Sequence, residues 1–498
     1  MVTQVEAKSK KTQVVIIGGG ITGLATAHRL LEHTESGQQL EVMLLEASPR
    51  VGGVLKTTER NGFLVEAGAD SFISEKPEAI ELAKRLGISY RLIETNEQHR
   101  RSFIVRNGRL LPVPDGFQLL APTRFWPFVA TDIFSWAGKA RMALDLVIPR
   151  RARDNGGDDE SLADFVRRRL GREAFERMAQ PMIGGIYTAD PEKLSLRATL
   201  PRFLDMEQTH GSIIRAIWKE RRRGSSPTVR EGVSRGKSIG ESGVSGARYS
   251  LFLSFDRGMQ VLVDELSSRL RGVIQLNTKA ESLSLNESRT KWNIHLSSDT
   301  TIEADDVCLA IPSYAATSLL QETDAELSQM LNQIEYASTA TINLAYRRAD
   351  VPHPLDGFGF VVPFIENRSL LACTFSNVKF AGRAPAEHVL LRAFAGGALQ
   401  PELFELDEDQ LLRRVQADLH DLLGITGAPL FTSVERWRRS MPQYHVGHLE
   451  LVSRIRARAK ALPGLHLAGN SYGGAGVPDC IRSGEAAADK ISCSRLEG

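Results

Sequence analysis

The sequence predicts an α/β fold, and three observations carry that expectation. Val14 to Ile17 is a run of four branched apolar residues, followed by Gly18, Gly20 and Gly23 at the spacing G-x-G-x-x-G and by a helical pattern over Thr22 to Glu32. A second apolar run, Leu40 to Leu45, ends in an acid, Glu46, which lies 23 residues beyond Gly23. Between Tyr336 and Gly397, short runs alternate in the manner of successive strands of a second, antiparallel sheet.

The first unit has a specific physical meaning. Gly18 permits the tight turn, Gly20 lets backbone approach a pyrophosphate, and Gly23 allows close packing of helix on strand. The helix carries Leu24, Ala27, Leu30 and Leu31 on one face, and its N-terminus offers free N–H groups with a partial positive charge. Glu46 falls near the offset of a carboxylate that hydrogen-bonds an adenosine ribose. Strand, glycines, helix, strand and acid in register predict a Rossmann-like dinucleotide domain.

The stretch beyond Glu46 narrows the nucleotide. Arg50, Gly52 and Gly53 in Glu46-Ala-Ser-Pro-Arg50-Val-Gly52-Gly53 resemble the second fingerprint of the flavin amine oxidase and protoporphyrinogen oxidase superfamily. There, an arginine and two glycines extend the pyrophosphate site. The resemblance implies FAD, held by Gly18, Gly20, Gly23, Glu46, Arg50, Gly52 and Gly53.

Composition bounds the rest. At 498 residues the chain holds two to three domains. A net charge of +2 implies no nucleic-acid partner. The basic runs Lys219 to Arg223, Pro149 to Arg153 and Arg167 to Arg169 read as solvated faces, with anionic lipid or an acidic substrate as the sharper reading. Cys308, Cys373, Cys480 and Cys493 are scattered, which argues against a zinc site or disulfide scaffold and suits a reducing compartment. The first twelve residues lack an apolar h-region, and no stretch reaches transmembrane length.

Further segments extend the same resemblance in chain order. Gly62 to Ser74, with Gly68, Ala69, Asp70 and Ser71, is similar to the superfamily segment that passes the flavin ring. Pro77 to Leu86 reads as a short amphipathic helix, with Pro77 suited to its first turn. Arg106-Asn-Gly-Arg109 reads as a hairpin turn. Gly116 to Ile148 interleaves Phe117, Leu119, Leu120, Phe125, Trp126, Phe128, Phe134, Trp136 and Met142 with Arg124, Lys139 and Arg141. That pattern suits either a helical core or a bilayer-surface contact. Ser161 to Leu170 reads as a capped helix ended by Gly171.

Pro181 to Ser195 resembles a segment of protoporphyrinogen oxidases in which a glycine carbonyl faces a pyrrole N–H, and Gly185 is the matching position. Residues 224–247 are rich in Gly and Ser and predict a flexible loop. Gly258-Met259 is similar to the superfamily's G-G-M helix start, with Arg257 in place of the first glycine. Ala280 stands where the family's backbone contacts adenine, and Val307 to Ile311 resembles a return to the FAD sheet.

The matches to plant-type pocket residues are Val361, Thr374 and Phe394, where the family has two leucines and a phenylalanine. Only Phe394 keeps its type. Trp437 begins a tract similar to one that runs past the flavin. Gly469, Asn470 and Val477 resemble the closing FAD motif, where a helix N-terminus would face the pyrimidine edge of the ring. The family's propionate-binding arginine has its strict register at Ser102, so the neighbouring Arg101 is the candidate here.

The chain as a whole is similar to bacterial-type, oxygen-dependent protoporphyrinogen oxidases. The resemblance implies an FAD domain from discontinuous segments (11–95, 252–312, 438–492), a helical, membrane-facing subdomain (96–208) and a mixed-sheet substrate domain (209–251, 313–437). It implies hydride transfer from a porphyrinogen to FAD, reoxidation by dioxygen with release of hydrogen peroxide, and no metal and no general base. A homodimer, and a cytoplasmic location at the inner face of the cell membrane, follow from the same resemblance. Alternatives are coproporphyrinogen III oxidation, carotenoid desaturation, amine oxidation with flavin attached to Cys480, and a flavin-free module like the GDP dissociation inhibitors.

Overall fold

A computed structural model describes residues 11–114, 117–118, 121–122, 124–151, 159–222 and 252–494. The predicted loop at 224–247 lies outside them. The first predicted unit forms the centre of a five-stranded parallel sheet, in the order Ile274–Gln275, Leu40–Leu45, Thr12–Ile17, Asp306–Leu309, Leu465–Leu467. The apolar run is continuous because both faces of the sheet are covered. Val14 and Ile16 face helices Ile21–Glu35 and Val477–Ser494, while Val15 and Ile17 face Trp292, Leu319 and Leu331. The two helices touch at Gly484, where Thr26 Oγ1 donates to its carbonyl at 3.1 Å. The strands of this sheet come from three segments of the chain, 12–45, 274–309 and 465–467.

The second sheet has seven strands, in the order Phe431–Pro442, Tyr336–Arg347, His388–Gly396, Ala372–Phe375, Gly359–Val361, Phe103–Arg106, Arg109–Pro112. One pair departs from the antiparallel expectation: Gly359–Val361 runs parallel to Phe103–Arg106. The cause is that the Asn107-Gly108 hairpin, at the start of the stretch expected to be helical, joins this sheet instead. Helix Glu408–Leu423 covers one face through Leu411, Val415, Leu419 and Leu422, which meet Ile342, Leu344, Leu391 and Phe375. The other face is left to the site.

The third unit is helical and has its own core, including Phe117, Phe128, Phe134, Met142, Phe165 and Phe175. The aromatic stripe of the sequence therefore divides. Phe117, Phe128, Phe134 and Met142 are buried, whereas Trp126 and Trp136 are 77% and 72% exposed. Leu119, Leu120 and the Phe125 side chain lie outside the described residues. The Arg167 to Arg169 run is a correction: it is no uniform solvated face. Arg169 has no exposed surface, and its Nε donates to Asp145 Oδ1 at 2.7 Å. Arg168 pairs with Glu160 and Glu207 at 2.7 and 2.6 Å. Among the described residues, no helix is long and apolar enough to cross a membrane.

Candidate active site

The glycine turn behaves as its spacing requires. Gly18 has φ of 109°, and a β-carbon on Gly23 would lie 1.9 Å from the Gly18 carbonyl oxygen. Gly20 differs, because a β-carbon there meets nothing within 4 Å. It opens onto the N-terminus of helix Ile21–Glu35, which has neither a side-chain cap nor an acid in its first turn. An uncapped helix start facing open space fits an anionic pyrophosphate.

The second fingerprint folds against this turn. Gly52 N–H donates to the Gly19 carbonyl at 2.7 Å, and a β-carbon on Gly53 would lie 3.3 Å from Gly20 Cα. Arg50 donates to the carbonyls of Val51, Gly53 and Leu55, so in this structure it pins the loop that carries Gly52 and Gly53. Glu46 Oε2 accepts from Gly19 N–H at 2.7 Å, while Oε1 accepts from the N–H and hydroxyl of Ser48 at 2.8 and 2.6 Å. Thr278 N–H donates to the Glu46 carbonyl at 2.9 Å, which brings Ala280, two residues on, to the Glu46 end of the sheet.

At the other end, Gly469 has φ of 128°, and a β-carbon there also meets nothing within 4 Å. Its N–H donates to Ser483 Oγ at 2.9 Å, and the Asn470 carbonyl accepts the Tyr444 hydroxyl. Val477 opens the final helix. Asp479 in that first turn would offset the positive end of the helix dipole toward a ligand, but Lys76 at 2.5 Å and Arg482 neutralise its charge. Two open glycine cradles, each beside a helix start, fit FAD.

Gly68 to Ser71 joins the two sheets. Trp437 Nε1 donates to the Ala67 carbonyl at 2.9 Å, and Arg392 donates to the Gly68 carbonyl. Ala69 follows directly and packs at the edge of the FAD-domain core. Asp70 is not open: Lys379 Nζ lies 3.0 Å and Arg392 Nη1 3.5 Å from its carboxylate, and Ser71 Oγ donates to it at 2.7 Å. Burial alone would raise this carboxyl, but Lys379 and Arg392 outweigh it and hold the group well below the usual carboxylate range.

The sheet register brings the predicted pocket residues together. Ala372 pairs with both Val361 and Phe394, and Thr374 pairs with Arg392, so Val361, Thr374, Arg392 and Phe394 share the face turned away from helix Glu408–Leu423. The Arg392 guanidinium lies 4.7 Å from the Phe394 ring centre. Gly185 approaches the same face, since a β-carbon on it would lie 3.7 Å from Val361 Cγ1. It sits in helix Gln180–Tyr187 behind a π-helical turn, Phe175–Ala179. That position, in the last turn, is where helix carbonyls lack intrahelical partners.

Arg101 is not brought to this group: it is half exposed and pairs with Asp356 at 3.2 Å. A cavity of about 420 Å³ opens beside the site, lined by residues including Ser338, Gly397, Gln443 and His445. None of Val361, Thr374 and Phe394 lines it. Asn343, Lys379, Arg392 and Tyr444 were not singled out from the sequence. Of these, Arg392 alone had a local signal, two residues before Phe394 in an alternating strand.

The family model for flavin containing amine oxidoreductases matches residues 21–492. The chain belongs to that family. It is accordingly an oxidoreductase with FAD as its cofactor. It is 37% identical over 480 residues to "Coproporphyrinogen III oxidase" of Bacillus subtilis (strain 168), covering 96% of this chain and 97% of that one. It is 30% identical to the chloroplastic protoporphyrinogen oxidase of Nicotiana tabacum, covering 96% and 85%. A crystal structure from Exiguobacterium sp. 255-15, of a protein provisionally named protoporphyrinogen oxidase, superimposes with a TM-score of 0.83 at 30% identity, covering 97% and 99%. Burial pushes the Cys480 thiol up to about 12.

Proposed function

We propose that this flavoenzyme oxidises coproporphyrinogen III to coproporphyrin III in haem synthesis, with dioxygen as the terminal acceptor. The observation that carries this reading is the 37% identity, over nearly the full length of both chains, to a protein of that name. The polar site face agrees with it. Thr374 adds a hydroxyl to the face that carries Phe394, at a position where the resemblance to plant-type members implies a leucine.

The glycine turns at Gly18 to Gly23 and at Gly469 would hold FAD, which would supply a hydride acceptor that dioxygen can reoxidise. The chain's own residues hold and orient. The Gly185 carbonyl accepts a pyrrole N–H, and Phe394 stacks on a second pyrrole. Val361 and Thr374 bound the tetrapyrrole between them, and the face excludes water around the reacting carbon. No side chain is needed as a base, since the pyrroles already activate the meso carbon. Three rounds remove six hydrogens and convert three dioxygen molecules to three of hydrogen peroxide.

Protoporphyrinogen IX is the second reading, favoured by the 30% identity to the tobacco enzyme. Aerobic turnover of each porphyrinogen, followed by porphyrin fluorescence and peroxide, decides between them. The expected result is a higher kcat/KM for coproporphyrinogen III. Faster turnover of protoporphyrinogen IX would reverse the assignment, and no turnover of either above the enzyme-free rate would end it. We further propose that Trp126 and Trp136 rest the helical unit on a membrane surface, beside Lys139, whose Nζ lies 4.4 Å from the Trp136 ring centre.

A further inference from the structure

The segment Glu66 to Ser71 ends in an enclosed cluster of charge. Asp70 meets Lys379 and Arg392. Glu66 accepts from Thr57 Oγ1 at 2.8 Å and from Met259 N–H at 2.9 Å. Arg383 donates only to neutral groups there, namely the carbonyls of Asp256 and Phe255 and Ser254 Oγ. Lys379, Arg383 and Arg392 are 9%, 1% and 4% exposed. At Asp70 two cations, Lys379 and Arg392, face one carboxylate, whereas Arg383 has Glu66 and Asp256 near it, so the positive charge in excess sits at Asp70.

An uncompensated buried cation is costly. The excess is also incompletely satisfied: Arg392 Nε and, on the opposing strand position, Asn343 Oδ1 are enclosed without hydrogen-bond partners. Contacts link this cluster to the cofactor cradle. Arg392 donates to the Gly68 carbonyl, a β-carbon on Gly68 would lie 1.7 Å from the Val54 carbonyl, and the adjacent Gly53 abuts Gly20. Both cations are shut away from solvent, so they act through their field and not by touching a ligand.

We infer that Lys379 and Arg392, outweighing Asp70, are electrostatic positioning residues that stabilise the negative charge FAD acquires on reduction. A hydride brings two electrons and one proton, so a C–H bond breaks in the donor and the ring gains one negative charge. That charge leaves when dioxygen takes both electrons, the ring's proton and one proton from water to become hydrogen peroxide. A charge held in a water-poor site is stabilised most by fixed opposite charge that needs no reorganisation. The inference rests on the flavin and on oxidase chemistry, not on which porphyrinogen is used.

Sulfite tests it without any porphyrinogen. Its sulfur forms a σ bond to the flavin ring as a ring C=N π bond opens, no group leaves, and the ring takes on the same negative charge. The FAD-loaded protein is titrated with sulfite by visible absorbance, and its midpoint potential is measured in parallel. Lys379→Gln weakens sulfite binding about tenfold and makes the potential more negative. Asp70→Asn tightens binding by about the same factor and raises the potential. Lys379→Arg matches the unaltered protein.

Opposite signs for the two neutralising variants separate electrostatics from structural damage. Unchanged affinity, or a shift of both in one direction, would overturn the inference. If Lys379→Gln does not fold, Asp70→Asn and Lys379→Arg still decide it. Failure of the unaltered protein to bind FAD at all would instead sink the cofactor assignment.

Discussion

Glu46 Oε2 accepts the Gly19 N–H at 2.7 Å, which ties the end of the second strand to the glycine turn of the first. One oxygen thus braces the glycine turn, and the carboxylate is the candidate for a ribose contact. Charged hydrogen bonds contribute about 1.5–3 kcal/mol each. Glu46→Ala is therefore expected to weaken FAD binding by at least about tenfold. Fluorescence of FAD released on dilution measures this, and unchanged retention would remove Glu46 from the site.

Gly20 and Gly23 make a contrasting pair. Gly23→Ala forces a β-carbon into the Gly18 carbonyl oxygen and is expected to destabilise the domain itself. Gly20→Ala meets no protein atom and is expected to leave the apoprotein's Tm within a degree or two. It should nonetheless abolish flavin colour, because the added methyl occupies cofactor space. A coloured Gly20→Ala protein would place the pyrophosphate elsewhere.

Arg169 and Asp145 hold the helical unit from inside. Asp145 also accepts the Ser212 hydroxyl at 2.6 Å and Ile214 N–H at 3.0 Å, while Arg169 reaches the Ile148 and Gly211 carbonyls. Removing one partner leaves the other charge buried alone. Arg169→Met is expected to cost about 3–5 kcal/mol in urea unfolding, and Asp145→Leu added to it to recover part of that loss. Equal stability of Arg169→Met and the unaltered chain would contradict the buried pair.

His448 stacks on Tyr444 with ring centres 4.4 Å apart. Burial, then the neighbouring His445, lowers its pKa to about 4 from the ordinary 6.5. The unfolded chain thus binds a proton below pH 6.5 that the folded chain refuses. Stability is complete above that pH and falls as pH drops toward 4. The loss is about 2 kcal/mol between pH 6.5 and 5. His28, His353 and His445, also lowered by burial, bend the curve the same way. His448→Phe should flatten the pH dependence of the urea midpoint in that window, and an unchanged slope would count against a buried neutral imidazole.

Trp126 and Trp136 provide the membrane test. Vesicles with anionic headgroups should bind the protein, and Trp126→Ser with Trp136→Ser should weaken binding about tenfold without changing Tm. Equal partitioning of both proteins would assign the two tryptophans another role.

Much of the fold was legible because its causes are local. The Gly18 to Gly23 spacing, the apolar runs and the acid at Glu46 each act within a few residues, and the structure places them as one unit. The strands of the second sheet were visible from alternation, and Val361, Thr374 and Phe394 do share a face. The parallel pairing of Gly359–Val361 with Phe103–Arg106 was not visible, since nothing near Phe103 states which sheet will receive it. Arg169 was read as solvated for the same reason: its partner Asp145 lies 24 residues away, in a segment with no matching pattern.

The sequence by itself determined the dinucleotide turn, the flavin fingerprint and the alternation that builds the face shared by Val361, Thr374 and Phe394. Turn geometry, helix ends and strand periodicity are properties of neighbours in the chain. Only the tertiary structure decided the enclosed charge beside the cofactor cradle. Lys379 meets Asp70 across 309 residues, and Trp437 meets the Ala67 carbonyl across 370. Such pairs form because two sheets pack against one hairpin, and an electrostatic sum over distant residues leaves no local signature.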